Sequence, residues 1–167
     1  MDVALLAFLI LLNGVFAMSE MALTASRKAR LQVMVEGQEP GASAAMDLHE
    51  NPTRWLSTVQ IGITSIGVLN GIVGEAAFAE PFAHWLQQVL PLTPKVAALS
   101  ATALVVASIT YLTIIFGELV PKRLALMYPE TVARLVARPM NVLSTATRPF
   151  VWLLGASTEA VLRLLGI

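Results

Sequence analysis

The fold is decided by residues 96–116, VAALSATALVVASITYLTIIF, which run for 21 residues without a charged side chain. An α-helix needs about this length to cross the roughly 30 Å hydrocarbon layer of a bilayer. The composition of the whole chain agrees, because 56% of its 167 residues are hydrophobic and only 13% are charged. A soluble domain carries about 25% charged residues. The sequence therefore predicts an all-α membrane protein.

Two further apolar stretches lie at residues 3–25 and 55–79, and the third span extends over 96–120. The first stretch lacks the basic leader and the cleavage site of a signal peptide, so we expect it to be retained. These stretches predict three transmembrane helices within a single domain over residues 1–167.

The segments between and after the spans are more polar. Residues 27–54 contain Pro40, Gly41 and an Asn-Pro turn signal, which predicts a cytoplasmic loop with one short helix near 42–50. Residues 131–167 mix Val, Leu and Trp with spaced Arg, a pattern typical of amphipathic helices. We expect these juxtamembrane helices to lie at the inner membrane interface rather than to form a fourth crossing.

The basic residues predict the orientation. Ten of the eleven Lys and Arg residues lie in segment 27–54 or after residue 121, whereas Lys95 lies between the second and third spans. Positively charged loops are retained in the cytoplasm. We therefore expect the N-terminus outside and the C-terminus in the cytoplasm.

The composition also excludes several functional classes. Eleven basic and eleven acidic residues leave no net charge for binding nucleic acid, and the absence of Cys excludes thiol chemistry and Cys-based metal sites. Only two His residues are present, so any bound metal is expected to be a hard cation with oxygen ligands. The sequence has neither an HExxH motif nor a nucleophile elbow, and we expect no enzyme activity.

Polar residues within the spans are candidates for function. Ionisable side chains in a span are costly and persist mainly where they face a partner or a water-filled path. Two acids qualify, Glu20 in the first span and Glu118 at the end of the third. Neutral oxygens near them in the sequence are supplied by Asn13, Ser19, Thr24, Ser26, Thr64, Ser65 and Asn70. The alternative for each hydroxyl or amide is a hydrogen bond that joins neighbouring helices.

The stretch 116–122, FGELVPK, is expected to interrupt the third span. Pro121 cannot donate a hydrogen bond to the Gly117 carbonyl, and its ring crowds that carbonyl. A free carbonyl beside the Glu118 carboxylate suits a hard cation such as Mg²⁺. The alternative is a proline kink in which Glu118 is paired with a base. Glycines 62, 67, 71 and 74 predict close helix packing, either within the chain or at a dimer seam.

Three segments resemble a known family. They are 12–23, LNGVFAMSEMAL, followed by a basic cluster at 27–30; 58–64, TVQIGIT; and 116–122. Together they resemble the transmembrane domain of the CorC/cyclin M (CNNM) family of Mg²⁺ transport proteins. The Gly-Glu-x-x-Pro-Lys element is the most specific, and many relatives have Ser where this chain has Ala17 and Gly-Asn where it has Gly62-Ile63.

The resemblance implies a homodimer in a bacterial inner membrane, with Mg²⁺ bound between helices and exported in exchange for Na⁺. The ligands that it implies are Ser19, Ser65, Asn70, Gly117 and Glu118, with weaker candidates in Glu20, Thr64 and Asn13, and a hinge at Gly117 and Pro121. Relatives continue into cytoplasmic CBS domains and a small C-terminal domain, which this sequence lacks, so we expect it to be part of a longer chain. The alternative function is a non-transporting dimeric membrane anchor for a cytoplasmic sensing module.

Overall fold

A computed structural model describes residues 2–166, which contain helices and their connections and no strand. The helices are α1 (Asp2–Ala25), α2 (Lys28–Glu36), α3 (Ala42–Glu50), α4 (Pro52–Val89), α5 (Pro94–Ile114), a π-helical segment (Ile115–Leu119), α6 (Val120–Met127), α7 (Pro129–Ala146) and α8 (Arg148–Leu164). This confirms the all-α prediction. Residues 1 and 167, the ends of the predicted domain, lie outside the described residues.

Three helical runs within the described residues are long and apolar enough to cross a membrane, namely Asp2–Ala25, Pro52–Val89 and Pro94–Met127. They coincide with the three predicted spans. The second helix is longer than its predicted apolar stretch, since its 38 residues correspond to about 57 Å. It continues through Pro81 to Val89, past the end predicted at residue 79.

The chain divides into two compact units. Among the described residues, the first comprises 2–18 and 62–124, and the second comprises 19–61 and 125–166. Each unit is therefore built from two separate stretches of sequence and is described by itself below.

Glycines on α4 permit close helix packing in the first unit. A Cβ at Gly62 would lie 2.7 Å from the Phe16 ring of α1, and one at Gly74 would overlap Cδ1 of Ile109 on α5. By contrast, a Cβ at Gly67 or Gly71 would meet nothing within 4 Å. Two of the four glycines thus pack within the chain, and the other two lie on an open face of α4.

The second unit contains more helix than expected. Helix α3 spans the predicted range 42–50, but α2 occupies residues that we expected to form a loop. Gly41 precedes α3 with φ of 84°, and a Cβ there would overlap the carbonyl of Arg134 on α7. This close approach buries Ala42 and Ala45 on α3 and Ala133 and Ala137 on α7.

On one side of helix α7, small apolar residues pack against α3. The amphipathic pattern of α7 reflects burial in protein on one side and exposure on the other. Pro139 lies inside this helix rather than ending it. Helix α8, by contrast, has no buried residue among those described.

Polar contacts join the segments of the second unit. The buried Glu130 carboxylate accepts a hydrogen bond from the Arg27 backbone N–H at 3.2 Å and lies 3.8 Å from the Arg30 guanidinium. His49 is half-buried, and its Nδ1 lies 3.1 Å from the Leu23 carbonyl oxygen. These contacts fix the segment that follows α1.

Candidate ion-binding residues

The stretch FGELVPK remains helical, so the expected interruption takes the form of a π-helical turn. Residues Ile115–Leu119 are π-helical and are followed directly by α6, which contains Pro121. A π-helical turn holds an additional residue and commonly occurs at functional sites. The extra residue changes the hydrogen-bond register just where Pro121 cannot donate, so the helix continues with its proline buried.

The Gly117 carbonyl has a partner from a distant part of the sequence. The Asn13 side chain on α1 donates a hydrogen bond from Nδ2 to the Gly117 oxygen at 2.9 Å, and the contact is buried. A Cβ at Gly117 would lie 3.2 Å from Asn13 Nδ2 and also 3.2 Å from the Ile10 carbonyl. A side chain at residue 117 would therefore require these neighbours to move by a few tenths of an ångström. The sequence did not predict that the carbonyl would be occupied by an amide donor.

Gly14, the next residue on α1, packs on the proline of the same turn. A Cβ at Gly14 would lie 3.0 Å from Pro121 Cγ and 3.3 Å from the Phe116 carbonyl oxygen. Asn13 thus contacts Gly117, and Gly14 packs on Pro121, so the first and third sequence segments lie against each other. Sequence reasoning missed the role of Gly14, although its position beside Asn13 was a usable signal.

Two buried amide oxygens in the first unit have no hydrogen-bond donor in the structure. Asn13 Oδ1 is one of them, and its orientation is fixed because the other side of the amide must donate to the Gly117 carbonyl. Asn70 Oδ1 on α4 is the second, and Asn70 Nδ2 donates to Thr113 Oγ1 at 3.5 Å. Both side chains are at most 2% exposed. A buried acceptor without a partner lowers the stability of the fold by about 1–3 kcal/mol. A hydrogen-bond donor or a cation bound to either oxygen would remove this cost.

Glu118 forms an ion pair on its own helix. Lys122 Nζ donates to its Oε1 at 2.8 Å, and the Glu118 side chain is 39% exposed. This is the geometry that the alternative, a carboxylate paired with a base, predicted. A cation that bound Glu118 would therefore compete with the Lys122 ammonium.

The remaining predicted residues fall in different environments. Thr64 and Ser65 are exposed on α4 in the first unit. Ser19, which is fully buried, and Glu20, which is half-buried, belong to the second unit. Within the first unit the structure brings together Asn13 and Gly117, and it pairs Asn70 with Thr113, a residue that sequence reasoning missed because an uncharged span gives a lone threonine no prominence.

No group of three or more His, Asp or Glu side chains within residues 2–166 is arranged to hold a metal ion. Carboxylate cages and imidazole sites are therefore not formed by these residues. The oxygens available in the first unit are instead amide and hydroxyl oxygens, together with the carboxylate of Glu118. Such a set suits hard cations or the N–H groups of an organic ammonium ion.

The chain is similar to several known proteins. Residues 4–167 match the family described as the cyclin M transmembrane N-terminal domain. The chain is 46% identical over 159 residues to the UPF0053 protein sll0260 of Synechocystis, covering 95% of this chain and 35% of that protein. It is 32% identical over 159 residues to the polyamine export protein of Salmonella typhimurium, covering 95% and 35% of the two chains. It is 30% identical over 163 residues to the UPF0053 protein YhdT of Bacillus subtilis, covering 98% and 35%. The chain thus spans about a third of the length of these relatives.

Proposed function

The chain belongs to the cyclin M transmembrane domain family, and from this membership we propose that it is the membrane part of an exporter whose cargo is Mg²⁺. Membership supports a membrane transport role, and the three long apolar helices fit an integral membrane protein. The remaining length of the relatives leaves room for cytoplasmic CBS domains as partners of this domain. We place the chain in a bacterial inner membrane with its C-terminus in the cytoplasm.

The observation that carries the proposal is the pair of buried, unpartnered amide oxygens, Asn13 Oδ1 and Asn70 Oδ1. Mg²⁺ prefers oxygen ligands in octahedral geometry at about 2.0–2.1 Å and accepts amide oxygens. Asn13 also holds the π-helical turn through its other amide atom, so a cation bound to its oxygen would be linked to that turn. Ser19, which is fully buried, and Ser65 remain proposed ligands.

The proposed route begins on the cytoplasmic side near Glu118. A divalent cation attracts the Glu118 carboxylate more strongly than one ammonium does, so the ion displaces Lys122 as it enters. The ion then exchanges water for amide and hydroxyl oxygens. Release outside follows rearrangement about Gly117 and Pro121, where the π-helical turn can shift its hydrogen-bond register. In this scheme Na⁺ entry supplies the driving force.

Polyamine export is the second candidate function. The relative from Salmonella typhimurium is named a polyamine export protein. A polyamine is a chain of ammonium groups that donate hydrogen bonds, and the same buried amide oxygens would accept them. The two cargoes differ in geometry, since a metal ion must be surrounded by oxygens whereas each ammonium group needs acceptors at hydrogen-bond distance.

Calorimetry on the detergent-purified chain tests the proposal directly. We expect saturable Mg²⁺ binding that K⁺ does not reproduce, and binding at least tenfold weaker in Glu118→Gln. Asn70→Leu should abolish the binding because it removes a buried oxygen, whereas Gln60→Leu, an exposed change on the same helix, should leave it intact.

Two other outcomes would favour a different function. Spermidine binding without Mg²⁺ binding would favour the polyamine candidate. Folded protein that binds neither ligand would favour the non-transporting anchor. We further propose that the chain forms a homodimer, for which Gly67 and Gly71 offer a face open to close approach.

A further inference from the structure

Helix α8 (Arg148–Leu164) presents an unusually large apolar surface. It has no buried residue among those described, and several of its large apolar side chains are more than half exposed. They are Phe150, Trp152, Leu153, Val161 and Leu164. Phe150, Leu153, Val161 and Leu164 lie on one side of the helix at 100° per residue, and an exposed apolar surface of this kind marks a contact with a membrane or another protein.

The arrangement of these residues is amphipathic. At 100° per residue, Phe150, Leu154 and Val161 share one face of the helix, at spacings of four and seven. Arg148 and Arg163 share the opposite face, in the first and last turns. Glu159 lies on this polar face and is 3.9 Å from Arg163, which leaves α8 with a net charge of +1.

Contacts within the second unit fix the position at which α8 begins. Thr147, which directly precedes α8, forms a hydrogen bond through its Oγ1 with Thr58 Oγ1 of α4 at 2.9 Å. Arg54, near the start of α4, donates to Thr145 Oγ1 at 3.4 Å. Thr58 lies in the first turn of the predicted second span, 55–79, so α8 begins beside the predicted entry of α4 into the membrane.

We propose that α8 lies in the headgroup layer of the membrane and binds anionic phospholipid. Its apolar face enters the acyl boundary, and Arg148 and Arg163 contact lipid phosphates. Trp152 lies on the polar face, between Arg148 and Arg163, and belongs to the residue type that is enriched at this depth. Helix α7 differs from α8 because one of its sides, with Ala133 and Ala137, is buried. The proposal is independent of the cargo.

Charge and position favour lipid over a second copy of the chain. The exposed Arg residues of α8 would meet opposite charges in a phosphate layer, whereas the same helix of another copy would present the same positive charge. A charged residue at each end of the polar face also suits a helix that lies in the interface plane.

Single-cysteine labelling tests this placement cleanly because the sequence contains no Cys. We would attach a nitroxide at Leu154→Cys or Val161→Cys on the apolar face and at Glu159→Cys on the polar face, in nanodiscs of equal parts phosphatidylcholine and phosphatidylglycerol. We expect the apolar-face labels to collide with oxygen and the polar-face label to collide with a water-soluble nickel complex. Equal exposure of all three labels to nickel, or close spin–spin distances between two copies, would overturn the proposal.

The lipid preference needs a second comparison. Arg148→Gln combined with Arg163→Gln should reduce the population of inserted apolar-face label in the mixed nanodiscs, by about fivefold for each Arg removed. In pure phosphatidylcholine the same change should have a smaller effect. Lys95→Gln, outside α8, is the matched control and should change neither. A double variant indistinguishable from the control would show that the arginines do not bind lipid phosphate.

Discussion

At the residue scale, the amide of Asn13 performs two tasks with its two polar atoms. Its nitrogen satisfies the Gly117 carbonyl, and its oxygen remains a buried acceptor. Replacing Asn13 with Leu leaves that carbonyl buried without a donor but also removes the unpartnered oxygen, so we expect the free energy of unfolding to fall by the net value of one hydrogen bond, about 0.5–1.5 kcal/mol. Denaturation in mixed micelles measures this change.

Thr24→Val provides the matched control for Asn13→Leu. Thr24 is an exposed residue of the same helix, and its hydroxyl donates only to the Glu20 carbonyl one turn earlier, at 2.7 Å. We expect its removal to change stability by less than about 0.5 kcal/mol. Equal effects of the two substitutions would mean that the contact with Gly117 contributes no stability.

Gly41 is a second residue at which the addition of a side chain should lower stability. Its φ of 84° lies in the left-handed region, where an L-residue costs roughly 1–2 kcal/mol, and a Cβ would also overlap the Arg134 carbonyl. We expect Gly41→Ala to lower the melting temperature by several degrees. Gly37→Ala, at φ of −73° with ordinary contacts, should have little effect. Comparable melting temperatures for the two variants would contradict this reading.

At the element scale, the packing of α4 against α5 depends on Gly74. A Cβ there overlaps Cδ1 of Ile109, so Gly74→Ala should destabilise the first unit by about 1–3 kcal/mol through overpacking. Adding Ile109→Val, which lacks Cδ1, should recover most of that loss. Gly71→Ala faces open space and should leave the unfolding free energy of the monomer unchanged or raise it. Failure of the double variant to recover stability would assign the role of Gly74 to something other than Ile109.

The contact between α2 and α3 predicts a small pH dependence. The Lys28 ammonium lies 2.7 Å from Glu50, and this hydrogen bond, aided by charge attraction, lowers the pKa of the Glu50 carboxyl. The pair therefore contributes stability above the ordinary pKa of Glu50, and the contribution is lost as pH falls through the lowered pKa. Lys28→Gln should raise the pKa of Glu50 toward its ordinary value, as a carbon-detected titration of that side chain would report. Both groups are exposed, so the stability difference should be small.

At the scale of the whole molecule, the distribution of Lys and Arg predicts a single orientation. Single cysteines can report it, because the sequence has none. An impermeant maleimide applied to intact cells should label Gln87→Cys, which is exposed near the end of α4. Ser43→Cys, exposed on α3, should react only after the cells are permeabilised. The opposite pattern would invert the topology and the direction of the proposed route.

Much of the architecture was predictable because hydropathy is a local property of the chain. The three spans follow from the length of each apolar stretch, and helix 42–50 follows from the turn residues on either side of it. The candidate site was less predictable. The sequence placed Asn13 only among the weaker candidate ligands. It did not predict that Ser65 is exposed, because all faces of its helix are largely apolar.

The sequence by itself determined that the chain is helical, which stretches are long and apolar enough to cross a membrane, and which family its segments resemble. Only the tertiary structure decided which partner each polar group has. The Gly117 carbonyl is bound by a side chain 104 residues away, and the apolar face of α7 is covered by α3. The partner of each polar group depends on which helix surfaces pack closely enough to exclude other partners. Hydropathy predicts that an apolar helix face will be buried away from water, but the packing of the helices decides whether protein or lipid covers that face.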